Sequence, residues 1–143
     1  MLHPHIEISE GLDGELVVFA CFELDQQEIA ASAHAVAATA AERFRASSMS
    51  ADDVLELREL TALSDELAEL ALEPGMRTVV LRPARLSTYR EAVARFIETR
   101  DEAEWIRDED REPLASLRGL LLPLEEFCAE AMRAALSPAP RPG

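Results

Sequence analysis

The sequence predicts an α+β fold: a small, mainly antiparallel β-sheet packed on a larger helical layer, in the order ββααβαα. Three observations carry this prediction. A β-hairpin pattern opens the chain, a short strand-like run recurs at residues 78–81, and apolar residues at helical spacing occupy most of the remainder.

Ile6 and Ile8 alternate with polar residues, and Glu10-Gly11-Leu12-Asp13-Gly14 then supplies turn chemistry. The run from Glu15 to Glu23 follows as the second strand. Both of its alternating faces are apolar, Leu16/Val18/Ala20/Phe22 and Val17/Phe19/Cys21, which is the pattern of a central strand covered on both sides. One of those covers is available from a second copy of the chain.

Asp25 and Glu28 have capping-box spacing, and Ile29, Ala33, Val36 and Ala40 continue at helical intervals. Ser47-Ser48-Met49-Ser50 interrupts, Ser50 with Asp53 caps a second helix, and Leu57, Leu60, Leu63, Leu67 and Leu70 form its apolar stripe up to a stop at Pro74-Gly75. The short link makes these two an antiparallel αα-hairpin.

Thr78 to Leu81 is the third strand, and a helix is expected from Ser87 to Thr99 with Val93, Phe96 and Ile97 inward. Residues 101–112 hold 7 carboxylates against Arg107 and Arg111 and read as a helix extension or exposed connector, with Trp105 covering the edge of the core. From Leu114 through Leu117, Leu121, Leu124, Cys128, Ala131 and Ala135 the apolar spacing never slips, although Pro123 lies within it. That pattern fits one kinked helix or two separate ones. A single domain is expected over residues 1–136, and the Pro-rich stretch 137–143 is expected to be a disordered tail.

Charge is distributed unevenly. Residues 75–100 carry six arginines against Glu91 and Glu98, so 6 − 2 = +4, while the whole chain carries −14. The island must be neutralised by the protein's own acidic helix, by a second copy, or by an anion. A net charge of −14 repels phosphate at long range, which argues against nucleic acid and anionic membrane as partners. The chain contains no Lys and no Asn, a bias expected of a GC-rich bacterial coding sequence, so its arginines carry less information than they would beside lysines. Cys21 and Cys128 lie far apart in apolar surroundings and read as buried thiols of a reducing compartment. The first residues have neither the basic start nor the apolar run of a signal peptide, and no stretch has the apolar length of a membrane span, so the expected location is the cytoplasm.

Two groups of residues have site chemistry. Arg82, Arg85, Ser87, Thr88 and Tyr89 are expected where a strand ends and the 88–99 helix begins, an arrangement suited to a small phosphate or carboxylate. The competing expectation is that Thr88 and Glu91 form a capping box while the arginines pair with acidic residues of the 51–73 helix. His3, His5 and Glu7 share one side of an extended segment, and His34 would complete a metal-ligand set if the first helix lay over it. The alternative is three surface histidines. The acidic cluster Asp108-Glu109-Asp110 reads as a solvated face, since it has no EF-hand spacing.

No Gly-rich phosphate loop, nucleophile elbow or zinc-type Cys spacing is present, and no cofactor signature appears. Cys21 would need a base such as His34, and its apolar strand should raise its thiol pKa. The leading expectation is a non-enzymatic accessory or regulatory module that binds other proteins, homodimeric and suited to a basic partner surface. The alternatives are a binding protein for a small anion and a metal-dependent enzyme using the N-terminal histidines.

Overall fold

The computed structural model describes residues 2–45 and 49–136. Strands β1 (His5–Glu10), β2 (Leu16–Leu24) and β3 (Arg77–Leu81) form one antiparallel sheet in the order β1-β2-β3. The helices are α1 (Gln26–Phe44), α2 (Ala51–Leu70), α3 (Pro83–Glu102), α4 (Asp108–Arg118) and α5 (Leu121–Leu136). The α+β class, the N-terminal hairpin and the central position of β2 are as the sequence predicts. The expected tail at 137–143 and the break at Ser47 and Ser48 lie outside the described residues.

Local chemistry accounts for the element ends. Gly14 takes φ +81° in the hairpin turn, where a side chain would be strained, and Gly11 N–H donates to Glu15 O at 2.7 Å to close it. Asp25 and Glu28 form a reciprocal capping box at α1, and Ser50 and Asp53 form another at α2. α1 and α2 run antiparallel: Arg43 at the end of α1 meets Glu56 near the start of α2 at 3.0 Å, while Gln26 at the start of α1 donates to Ala71 O past the end of α2 at 2.9 Å.

Three boundaries differ from expectation. α2 ends at Leu70 with Ala71 as its C-cap, three residues short of the expected 51–73 span. α3 begins at Pro83, four residues before Ser87, because proline at the first helical position supplies a fitting φ and lacks only an N–H that would be unpaired there. The C-terminal series is two helices, and the break falls at Gly119-Leu120, before Pro123. Pro123 is the third residue of α5, so its missing N–H again lies among the unpaired donors of a first turn. The acidic stretch is divided: residues 108–112 open the separate helix α4, which runs on to Arg118.

The core lies on one face of the sheet. Ala20, Phe22 and Leu24 of β2 join Val79 and Leu81 of β3 there, and all five helices contribute, including Ile29 and Val36, Leu60, Leu63 and Leu67, Tyr89, Val93 and Phe96, Leu117, Leu124 and Phe127. Phe22 anchors it, stacked on Tyr89 at 5.7 Å between ring centroids and edge-on to Phe127 at 6.1 Å. Trp105 does not cover this core. It is 70% exposed in the connector between α3 and α4, where Ile106 packs inward in its place.

Candidate functional site

Because side chains alternate along a strand, the register of the sheet determines what its second face displays. His5 pairs with Cys21 and Cys21 with Val80; Glu7 pairs with Phe19; Ser9 pairs with Val17; Glu23 pairs with Thr78. These residues all lie opposite the core. Val80 is 53% exposed, Phe19 and Val17 are half-buried, and none of the three belongs to the core cluster. The sequence expectation of a strand covered on both faces is therefore met on one face only within the chain.

The polar residues of this outer face are sorted by edge. β1 supplies His5 and Glu7, whose Nε2 and Oε1 are 3.2 Å apart. Beyond the end of β3, the Arg82 guanidinium lies over the Phe19 ring, 5.7 Å from its centroid. The middle row of the face thus reads Glu7, Phe19, Arg82: acid, aromatic, base. Cys21 is 2% exposed and sits beside His5 and Glu7. Burial, reinforced by the charge of Glu7 and a hydrogen bond to it, raises the Cys21 thiol above its ordinary value, in the direction the apolar strand suggested.

The expected metal set is not assembled as predicted. His3 lies outside β1 with φ 40°, and His34 is half-buried on α1, held by Asp110 of α4 at 2.7 Å. The structure brings His5 and Glu7 together with Cys21, which the sequence did not place in the metal set. Cross-strand register was the missing information.

The expected anion site is dispersed as well. With α3 starting at Pro83, Ser87, Thr88 and Tyr89 lie beyond the first turn. Thr88 Oγ1 donates to Ala84 O within the helix, so the Thr88/Glu91 capping box does not form. Tyr89 is in the core, where its hydroxyl meets Ser32 Oγ at 2.6 Å and burial pushes the phenol pKa well up. Arg85 bonds to Glu59 and Glu66 of α2 at 3.1 and 2.8 Å. Burial disfavours its charge, but the two carboxylates outweigh this and raise its pKa. A cavity of about 550 Å³ beside Arg82 and Arg85 is lined by Glu59 and Glu66 too, so its formal charges cancel.

Most of the basic island is neutralised in the same internal way. Arg77 pairs with Glu73, Arg95 approaches Glu42 at 4.0 Å, and Arg100 binds Glu42 at 2.9 Å and Asp110 at 3.2 Å. Arg82 has no carboxylate within ion-pairing distance among the described residues.

Asp110 is a feature the sequence reading missed. Expected within a solvated face, it is instead 5% exposed and joins three helices, accepting from Arg100 Nε of α3 while its other oxygen meets His34 Nε2 of α1. Burial alone would raise its pKa, but the hydrogen bonds and charges of His34 and Arg100 hold it below the usual carboxylate value. Phe96 covers the junction, with the Arg100 guanidinium 4.3 Å from its ring centroid and His34 edge-on at 5.6 Å. An adjoining cavity of about 650 Å³ exposes His34 near Ser116, but no hydrogen bond joins those two among the described residues. His34 and Asp110 therefore have a bracing geometry, with no nucleophile in line among the described residues.

Comparison with protein-family models, with curated proteins and with solved structures returned no match for this chain.

Proposed function

We propose that this chain is a non-enzymatic protein-interaction module that self-associates through the outer face of its sheet and serves an accessory or regulatory role. The observation that carries the reading is the uncovered face itself: Val17, Phe19 and Val80 at its centre, Glu7 at one edge and Arg82 at the other. A two-fold axis running along β2 would lay this face on its copy with the β1 edge over the β3 edge. Glu7 would then oppose Arg82 of the second copy, twice, around a pair of Phe19 rings. Arg82, which has no carboxylate partner among the described residues, would gain one in this pairing.

Magnitudes set the strength of the contact. Three strands about 4.8 Å apart and about six residues long at 3.3 Å each give a projected area of roughly 300 Å² per copy. A stable interface buries about 800 Å² per partner. Self-association through this face alone is therefore weak and concentration-dependent. The charge of −14 on each copy opposes it at low salt and is screened beyond about 8 Å at physiological ionic strength. The acidic exterior that remains in the dimer suits a basic protein surface as the regulated partner.

Sedimentation velocity over a concentration series tests the reading. The unmodified chain is expected to move from monomer towards dimer with rising concentration, and Phe19→Glu to remain monomeric with its circular dichroism unchanged. Monomer at every concentration for the unmodified chain, or equal association by the variant, would exclude this face.

A further inference from the structure

The pairing of His5 with Cys21, and of Glu7 with the neighbouring Phe19, brings three different donors to one corner of the outer face. An imidazole nitrogen, a carboxylate oxygen and a sulfur all lie within 4.8 Å of one another. Around a tetrahedral zinc ion with bonds of about 2.0 to 2.3 Å, donors are separated by about 3.3 to 3.6 Å. His5 Nε2 and Glu7 Oε1, at 3.2 Å, are already near that spacing. The distances to the sulfur have to close by about 1.2 Å at most, a shift the two exposed side chains can make by small torsional changes. We propose that His5, Glu7 and Cys21 bind a divalent ion of the zinc class, with water in the fourth position.

Donor chemistry restricts the ion. Calcium and magnesium select oxygen donors, whereas a thiolate, an imidazole and a single carboxylate suit zinc and the softer first-row divalent ions. Charge is balanced as well: the ion's +2 meets one thiolate and one carboxylate. Binding displaces the Cys21 proton to solvent, so affinity rises with pH. Cys21 forms the floor, and the exposed His5 and Glu7 side chains form a rim, so the fourth position faces outward. The site does not require self-association, because all three donors belong to one chain, and it is compatible with it, because one oxygen of Glu7 can bind the ion while the other stays available for Arg82 of a second copy.

Cobalt titration of the untagged chain is the test, with cobalt as a spectroscopic substitute for zinc. One equivalent is expected to produce thiolate-to-cobalt charge-transfer absorption that zinc then displaces. Cys21→Ser should abolish this absorption, and Cys128→Ser should retain it. His5→Ala and Glu7→Gln alter exposed side chains, so they decide the matter even if Cys21→Ser fails to fold. Each should weaken zinc binding by more than about 100-fold, beyond the usual effect of losing an outer-shell partner. Absence of charge-transfer absorption at stoichiometric cobalt, its persistence in Cys21→Ser, or unchanged zinc affinity in His5→Ala would each overturn the site.

Discussion

Replacing Asp110 by alanine is expected to destabilise the fold by about 3 to 5 kcal/mol, the usual result of removing one partner from a buried ion pair. The carboxylate binds His34 of α1 and Arg100 of α3 at once, and its own helix, α4, is attached to both through it. Without it Arg100 retains Glu42, but its mostly buried Nε donor and the half-buried His34 both lose a partner. Urea denaturation at neutral pH measures the effect. A loss below about 1 kcal/mol would place the interaction among ordinary surface ion pairs.

The same residue carries a pH signature. Its folded-state pKa is depressed, so its contribution is fully present above the unfolded carboxylate value of about 3.9 and is lost as pH falls through the lower folded value. The unmodified chain should therefore lose stability more steeply below about pH 4 than Asp110→Asn does. Parallel acid-side profiles for the two proteins would remove Asp110 from this role.

Phe22→Ala is expected to cost about 3 to 5 kcal/mol, the range for deleting a buried aromatic ring. Phe22 is fully buried between Tyr89 and Phe127, and neither of those rings can move to close the gap without leaving its own contacts. Phe19, three residues earlier on the opposite face of the same strand, provides the contrast. Its replacement by alanine should change the urea midpoint little while weakening self-association. Comparable losses of stability at both positions would mean that the outer face is also packed.

Much of the fold was legible because its signals are local. The capping boxes at Asp25 and Ser50 and the leucine stripe of α2 need no tertiary information. The start of α3 was misplaced because Thr88 and Glu91 imitate a capping box, although Pro83 is itself a start signal. The break at Gly119 was hidden by an apolar spacing that continues in phase across it. The candidate site was less legible, for physical reasons. Both faces of β2 are apolar, and composition cannot say which face the helices cover. Asp110 looks like its acidic neighbours until three helices converge on it, and Cys21 meets His5 only through strand register.

The central claim is that the outer face of the sheet is the working surface of this protein. A dilution series of backbone amide NMR spectra tests it most directly, since it both detects self-association and locates it. Concentration-dependent shifts confined to residues 5–9, 17–23 and 78–82 are expected, on the outer-face segments of β1, β2 and β3 and the adjoining Arg82. Spectra that do not change with concentration, or changes that map to the helical layer, would contradict the account.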